Sequence, residues 1–239
     1  MRMEGYRREL KYIVGDDVMT DVRNRIDGLM RLDEHQHSDH YGIRSLYFDD
    51  PGLTCYRENL AGVSPREKYR IRTYDCDDKV IMAEIKIRHR DTISKMRTGI
   101  SREIYDILMS NEPGAESDLM RIIKEMNDEA GRRVLEKFLS KYATGLYRPA
   151  CIVDYERSAY VYDTGNVRIT IDRNVFASKE FDRMFDPLLT GRPALDGNRH
   201  ILEIKYDEFL PDEIRAVLGG LSLRRCNSSK YAQCIERFL

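Results

Sequence analysis

The two segments EKYRIRTY (Glu67–Tyr74) and VIMAEIKIR (Val80–Arg88) decide the fold. Charged and apolar side chains alternate along both segments, and this two-residue period is that of a β-strand. The acidic stretch Asp75–Asp78 lies between them and is typical of a hairpin turn. The sequence therefore predicts two antiparallel strands, each with one charged face and one apolar face.

Similar alternation recurs along the chain, together with amphipathic helical segments. Further strands are predicted at residues 6–14, 44–48, 151–162, 167–172 and 200–206. Helices are predicted from Asp16, over Glu116–Tyr142 with a division near Gly131, after Pro211, and over Lys230–Phe238. Because the chain shows no linker and no repeat, we expect one α+β domain over residues 1–239. Its seven or eight strands should form a closed antiparallel β-tunnel with helices packed outside.

One face of each predicted strand carries charged and polar residues. These residues are Glu9 and Lys11; Lys68, Arg70 and Arg72; Glu84, Lys86 and Arg88; Tyr155 and Arg157; Arg168, Thr170 and Asp172; and Glu203 and Lys205. They fit either an ordinary amphipathic sheet with its charges in solvent or a tunnel with its charges inside. Residues 66–102 contain 11 basic and six acidic residues, whereas exposed sheet faces usually mix signs because like charges repel. This excess favours a cationic tunnel that binds a row of phosphates, at a cost in stability when empty.

Three acids on the charged faces are candidate metal ligands. Glu9, Glu84 and Glu203 would hold Mg²⁺ or Mn²⁺ against the phosphates, since these hard cations prefer oxygen ligands. The alternative for each acid is a salt bridge with a neighbouring lysine or arginine, such as Lys205 beside Glu203. Both interpretations stay open from the sequence.

Composition excludes several classes of protein. The 239 residues include 40 basic and 41 acidic side chains, a net charge of −1, which argues against a general nucleic-acid coat or a polybasic membrane binder. No apolar run approaches the ~20 residues that span a bilayer, and the first residues lack the apolar core of a signal peptide. Five cysteines without a CxxC pair indicate reduced thiols and a cytoplasmic location.

Other sequence patterns give no indication of a further catalytic or binding site. The sequence has neither a P-loop nor a GxGxxG motif. The histidine-rich stretch 35–40 is interpreted as a solvated loop instead of a metal cluster. An apolar helix stripe of Leu119, Ile122, Ile123 and Met126 is interpreted as packing on the barrel, with a partner interface as the alternative.

Eight short segments resemble the catalytic domain of the vacuolar transporter chaperone (VTC) polyphosphate polymerases, in family order. They are Arg8–Tyr12, Ser45–Asp49, Glu67–Arg72, Glu84–Lys86, Tyr155–Arg157, Val167–Asp172, Leu202–Lys205 and Ser229–Tyr231. These enzymes belong to the triphosphate tunnel metalloenzyme, or CYTH-like, superfamily. The resemblance implies an eight-stranded antiparallel tunnel and a metal-dependent transfer of the ATP γ-phosphate to a growing polyphosphate chain.

The resemblance also implies site residues. Lys11, Arg70, Arg72, Lys86, Arg157, Arg168 and Lys230 would contact phosphates, Glu203 would bind the metal, and Lys95 and Arg97 would form a basic element at the tunnel mouth. With the strand faces, this predicts the full site. Its catalytic lysines are Lys11, Lys86 and Lys230, and its metal ligands are Glu203, Glu84 and Glu9. Its substrate-binding residues are Lys68, Arg70, Arg72, Arg88, Lys95, Arg97, Tyr155, Arg157, Arg168 and Lys205.

One departure from the superfamily concerns the first strand. Its ExExK pattern is reduced here to Glu9-x-Lys11, because Arg7 stands where the first glutamate would be. This form resembles the polymerase branch more than the hydrolase branch. The 239 residues hold no counterpart of the regulatory and membrane domains of the eukaryotic polymerases, so inositol-phosphate regulation and coupled translocation are not carried over, and a membrane-protein partner stays open. The alternative functions are a tunnel-type inorganic triphosphatase or polyphosphatase, and a polyphosphate-binding module without catalysis.

Overall fold

The computed structural model describes residues 8–34, 36–90, 92–110, 112, 114–226 and 229–239. They form an α+β structure in which seven helices pack around one antiparallel sheet, as the sequence predicts. Tyr6, Arg7 and His35 lie outside the described residues. In the described part of the chain, no helix is both long and apolar enough to cross a membrane.

Ten strands make up the sheet. They are β1 (Arg8–Gly15), β2 (Arg31–Leu32), β3 (Tyr41–Asp49), β4 (Arg66–Tyr74), β5 (Asp77–His89), β6 (Thr92–Ile100), β7 (Arg148–Tyr162), β8 (Val167–Ser178), β9 (Arg192–Pro193) and β10 (Arg199–Tyr206). Eight of them follow one path in the order β1-β10-β8-β7-β3-β4-β5-β6, while β2 pairs with β7 and β9 pairs with β8. The prediction of seven or eight strands missed the two-residue strands, which are too short to show alternation.

The end strands of this path are β1 and β6. Among the described residues, no backbone hydrogen bonds pair these two strands, so the sheet curves around a lumen without a continuous ring of hydrogen bonds. Side chains of both strands, including Arg8 and Lys95, line the same cavity. The sequence predicted only a basic element at residues 94–97, where the structure has the edge strand β6.

The helices cover the outer face of the sheet. They are α1 (Asp16–Ile26), α2 (Thr54–Leu60), α3 (Arg102–Ser110), α4 (Ala115–Glu125), α5 (Glu129–Thr144), α6 (Asp212–Leu218) and α7 (Lys230–Glu236). The predicted division of this segment into two helices is confirmed, but the chain breaks at residues 126–128 and not at Gly131, and the Asp128 side chain accepts a hydrogen bond from Ala130 N at the start of α5. Gly131 instead lies inside α5, and a Cβ there would come 2.5 Å from Thr98 Oγ1. The glycine therefore allows α5 to approach β6 closely.

The apolar strand faces point away from the lumen. Ile71 and Ile85 lie in one buried cluster with Leu119 and Ile123 of α4, and Ile122 and Met126 pack against it. The helix stripe is thus packed in the core, as predicted. A second cluster places Ile169, Ile171, Leu202 and Ile204 under α1 and α6. Both clusters leave the opposite, charged faces of the strands to line the lumen.

Candidate active site in a cationic passage through the sheet

Two cavities lie within the curved sheet. The first has a volume of about 500 Å³ and includes Arg66, Lys68 and Arg88 in its lining. The second has a volume of about 860 Å³ and includes Tyr74 and Val80. The linings overlap at six residues, namely Glu9, Arg70, Arg72, Lys86, Arg157 and Lys205.

Because these six residues line both cavities, the two cavities are adjacent parts of the lumen, and we refer to them together as the passage. Along β4 the lining runs from Arg66 in the first cavity to Tyr74 in the second, about 25 Å at the rise of a β-strand. Exposed residues line both ends, including Arg90 at the first mouth and Val80 at the second. The passage therefore opens to solvent at two mouths.

All but one of the predicted site residues line this passage. The first cavity contains Lys11, Lys68, Arg88, Tyr155, Glu203 and Lys230 in addition to the shared residues. The second contains Lys95, Arg97 and Arg168. Glu84 is the exception among the described residues, because it is 1% exposed and lines neither cavity.

Glu203 sits at the centre of a cluster of cations. Its Oε1 lies 3.0 Å from Lys11 Nζ and 2.9 Å from Lys230 Nζ, and its Oε2 lies 3.3 Å from Lys205 Nζ. Burial acts to raise the pKa of Glu203, but Lys11, Lys230 and Lys205 outweigh it and hold that pKa well below its usual value. Glu203 is therefore an ionised carboxylate inside the passage.

Asp172 is a second buried anion, which the sequence placed on the charged face without assigning it a role. Its oxygens accept hydrogen bonds from Arg157 Nε at 2.6 Å and Nη2 at 2.7 Å, a bidentate pair. Lys230 Nζ lies 2.5 Å from Asp172 Oδ2 and so joins the two acids Asp172 and Glu203. Burial acts to lower the pKa of Lys230, but the two carboxylates raise it above its usual value. This role follows from the position of Asp172 opposite Arg157 in the β7–β8 register, and the sequence alone does not show that register.

Glu84 forms a separate network with arginines. Its Oε2 accepts a hydrogen bond from Arg70 Nε at 2.7 Å and lies 4.0 Å from Arg72 Nη1, while Oε1 lies 3.5 Å from Lys95 Nζ. The Arg70 guanidinium also donates from Nη1 to the Tyr47 hydroxyl at 2.9 Å. Glu84 and Tyr47 thereby fix the direction of the Arg70 side chain.

Two lysines in the passage have no acidic partner among the described residues. Lys68 Nζ is held by neutral oxygens, Asn59 Oδ1 at 2.7 Å and Ser229 Oγ at 2.6 Å. Burial, together with nearby cations, lowers the pKa of Lys68 well below its usual value. Burial likewise lowers the pKa of Lys86 to about 8, against the partial opposition of Glu9. These lysines are therefore the poorly compensated charges of the empty passage.

The sequence reasoning did not identify several residues of the passage. Arg66 and Arg90 line the first mouth, whereas Tyr41 and Asp33 line the second. Arg168 contacts both of the latter, with Nη1 2.9 Å from Asp33 Oδ2 and Nη2 3.3 Å from the Tyr41 hydroxyl. Asp33 lies in a segment without strand alternation, so only the folded chain brings it to Arg168.

The described residues offer oxygen ligands for a metal close to Lys205. Glu9 Oε1 and Glu203 Oε2 lie 3.5 and 3.3 Å from the same Lys205 ammonium, so two carboxylates already share one cation. Thr170 lies opposite Glu203 in the β8–β10 register, and its buried hydroxyl has no hydrogen-bond partner among the described residues. This all-oxygen set fits Mg²⁺ or Mn²⁺, which take one or two carboxylates and complete their coordination with phosphates and water.

The described residues contain no group of three or more histidine, cysteine or acidic side chains arranged to hold a metal without such additional ligands. This holds for the described part of the histidine-rich stretch, where His40 and Asp39 contact Arg173 on the outside of the sheet. All five cysteines are free thiols.

Comparisons with known proteins agree with this architecture. The family described as VTC domain matches residues 6–239. A structure from Hippeastrum, described as a putative adenylyl cyclase with a dominant triphosphatase activity, matches 97% of this chain and 95% of its own, with 14% identity and a TM-score of 0.52. A putative adenylate cyclase from Bacillus halodurans matches 98% of this chain and 97% of its own, with 12% identity and a TM-score of 0.49. No curated protein has a significant sequence match.

Proposed function

The chain belongs to the VTC domain family, and we propose that it is a metal-dependent polyphosphate polymerase that transfers the γ-phosphate of ATP to the end of a polyphosphate chain. The observation that carries this proposal is the passage with two mouths. A hydrolase of short triphosphates needs one opening for substrate and products, whereas a polymerase needs a second path for a chain that grows at each turnover. The cavities that meet at Arg70, Arg72 and Arg157 supply that path.

The cations have distinct roles in the proposal. Arg70 and Arg72 are held from behind by Glu84 and grip non-bridging phosphate oxygens, since a guanidinium matches two such oxygens at once. Lys11, Lys86 and Lys230 offset the negative charge that gathers around the reacting phosphates. Phosphoryl transfer depends mainly on positioning and electrostatic stabilisation, so this cage requires no covalent nucleophile.

In this proposal Glu203 and Glu9 hold the metal. When bound, a divalent cation neutralises charge on the reacting phosphates. Burial acts to raise the pKa of Glu9, but Lys86, Lys11 and Lys205 together lower it to about 2, so both ligands are ionised at neutral pH. Glu84 instead forms salt bridges, which is the alternative to metal binding that the sequence left open. Three cations surround it, and it lies outside the passage lining. A cytoplasmic location is part of the proposal and is supported by the five free thiols.

Product analysis tests the proposal. The protein is incubated with ATP and Mn²⁺, and in parallel with Mg²⁺, and the products are separated on a gel that resolves polyphosphates by length. We expect a ladder of polyphosphate that appears with ADP and disappears when the metal is chelated. Orthophosphate as the only product would identify a tunnel triphosphatase instead, and tight polyphosphate binding without turnover would identify a binding module.

A further inference from the structure

Two pairs of cations face each other across neighbouring strands at the first mouth. In the β4–β5 register Arg66 lies opposite Arg88 and Lys68 lies opposite Lys86, and all four residues line the first cavity. We refer to these four residues as the cationic ladder. Like charges directly opposite each other destabilise a sheet, so two successive pairs of this kind call for an explanation.

The ladder lacks the acids that compensate the rest of the passage. None of its four residues forms an ion pair with a carboxylate within the described part of the chain. Arg66 Nη1 donates to Val63 O at 2.8 Å and Arg88 Nε to Arg90 O at 3.1 Å, both neutral carbonyls. Deeper in the passage, by contrast, Lys11 and Lys230 share Glu203, and Arg70 pairs with Glu84.

Burial makes this lack of compensation costly. Burial lowers the pKa of both Lys68 and Lys86, and repulsion from neighbouring cations adds to the effect. For Lys86 the Glu9 carboxylate opposes this shift but does not cancel it. Concentrated like charge destabilises a folded chain unless an anion neutralises it. The ladder is thus arranged for a ligand with a negative charge at each step along β4 and β5.

The second mouth has a different chemistry. Its lining holds the cations Arg8, Lys95, Arg97 and Arg168 together with the acids Asp33, Asp75 and Asp77. Arg168 pairs with Asp33 and Lys95 with Glu84, and Tyr74, Val80 and Met82 add aromatic and apolar surface. Carboxylates at the rim disfavour a polyanion, whereas aromatic and apolar surface suits a planar base. The two mouths therefore differ, because the ladder cations of the first mouth form no ion pairs among the described residues, whereas cations of the second mouth are partly neutralised by acids and lie beside aromatic and apolar surface.

We propose that the cationic ladder binds the polyphosphate chain from the reacting phosphates at Lys86 outward to Lys68, Arg66 and Arg88, so that the chain occupies the Arg66 mouth and the nucleoside of ATP occupies the Tyr74 mouth. This inference rests on the proposed function and adds the orientation of the two substrates in the passage. It requires that affinity increase with chain length and that the increase depend on the ladder.

Binding measurements without metal separate this inference from catalysis. Affinities for ATP, tripolyphosphate and size-fractionated long-chain polyphosphate are measured by calorimetry at one fixed ionic strength. The test variant is the double substitution Arg66→Ala/Arg88→Ala. The matched control removes two charges from the second mouth, Arg8→Ala/Arg97→Ala.

We expect the wild type to bind the long chain more tightly than tripolyphosphate. The ladder variant should lose about tenfold or more in affinity for the long chain, because one hydrogen bond to a charged group is worth about that much. Its affinity for ATP and tripolyphosphate should stay within about threefold of wild type, and the control should keep the preference for long chains.

Three outcomes would overturn the inference. The ladder variant could keep the full preference for long chains, it could lose ATP and long-chain affinity equally, or the control variant could lose the preference instead. A wild type that binds ATP and tripolyphosphate without any preference for longer chains would refute the ladder alone. A wild type that binds none of the three ligands would refute the ladder and the proposed polymerase together.

Discussion

The Tyr231 hydroxyl donates a hydrogen bond of 2.6 Å to the buried Asp49 carboxylate, and this contact ties α7 to the start of α2. Asp49 also accepts hydrogen bonds from the backbone N–H groups of Cys55 at 2.9 Å and Tyr56 at 3.1 Å. Tyr231 follows Lys230, whose ammonium contacts both Asp172 and Glu203. The position of the Lys230 side chain thus depends on a hydrogen bond outside the passage.

Tyr231→Phe should disturb both stability and turnover. The ring still stacks on Tyr47, with centroids 4.8 Å apart in the wild type, but Asp49 loses one of its partners. We expect the free energy of unfolding to fall by about 1.5–3 kcal/mol, the value of one hydrogen bond to a charged group, since the backbone N–H groups of Cys55 and Tyr56 still donate to Asp49. The kcat for ATP turnover should fall as well, because Lys230 is less well positioned. Urea denaturation and initial rates measure the two effects.

Tyr56→Phe is the matched control for this substitution. The Tyr56 hydroxyl makes a 3.4 Å hydrogen bond to Glu236 in an exposed position. Its loss should change stability and kcat only slightly. Equal effects of the two substitutions would show that the Asp49–Tyr231 bond has no special role in positioning Lys230.

Glu203→Gln should abolish metal-dependent turnover while tripolyphosphate still binds through the cations. The amide removes the anion that Lys11, Lys230 and Lys205 share. We therefore expect the empty protein to lose about 3–5 kcal/mol of stability, as when one partner of a buried ion pair is removed. Thermal denaturation with and without tripolyphosphate, and rates over a range of Mn²⁺ concentrations, provide the measurements.

Glu156→Gln is the control for Glu203→Gln, because it makes the same substitution at an acid on the outer side of the sheet. Glu156 contacts His40 and Arg173, and its side chain is 35% exposed. It should keep the wild-type dependence on Mn²⁺. Normal metal-dependent turnover in Glu203→Gln would exclude Glu203 as the metal ligand.

The two-residue period of the strands was enough to predict most of the passage. It put Lys68, Arg70 and Arg72 on one face of β4, and the structure places all three in the lining. Alternation gives the face of a residue and nothing about its partners across the lumen. For this reason the sequence could not separate Glu84, which lies outside the lining against Arg70, from Glu203, which lies inside it.

Contacts between distant segments account for what the sequence analysis missed. The helix α2 has only seven residues and no clear apolar stripe, yet it supplies Asn59, which contacts Lys68. Gly131 lies close to the predicted division between two helices, but in the structure it lies inside α5, where close packing against Thr98 explains the glycine. In both cases a neighbour more than eight residues away determines the role of the residue.

Arg157→Ala and Lys86→Met should change the stability of the empty protein in opposite directions at pH 7. From the sequence, the like charges of the empty tunnel are expected to carry a cost in stability, so that removing one charge raises the stability or leaves it unchanged. Arg157, however, makes a bidentate pair with Asp172, which is 0% exposed, so its removal should cost about 3–5 kcal/mol. Lys86 has no ion-pair partner in the described part of the chain, so its removal should stabilise. Melting temperatures without ligand distinguish the two results.

Tripolyphosphate should stabilise both variants less than the wild type. Both residues line the passage, and a ligand stabilises the folded state according to its concentration relative to Kd. Orthophosphate serves as the control ligand, because one phosphate engages fewer of the cations. If Arg157→Ala melted at or above the wild type, its pair with Asp172 would contribute no net stability.

The stabilising effect of Lys86→Met should shrink as the pH rises from 8 to 10.5. Burial lowers the pKa of Lys86 from 10.5 to about 8 in the folded protein. Below pH 8 the lysine is charged in both the folded and unfolded states, so the full penalty for burying the charge is present. Between pH 8 and 10.5 the unfolded chain binds more protons than the folded chain, and the wild type gains stability with pH. Urea denaturation at intervals from pH 7 to 10.5 measures this gain.

Lys86→Arg isolates that titration, because a guanidinium stays charged over the whole range. The wild type should gain stability relative to Lys86→Arg above pH 8, while the difference between Lys86→Met and Lys86→Arg stays constant. Groups that titrate in all three proteins cancel in these differences. If the wild type and Lys86→Arg instead changed in parallel from pH 7 to 10.5, Lys86 would keep its proton in the folded protein. The empty passage would then tolerate its full charge, and the ladder would not require an anion for stability.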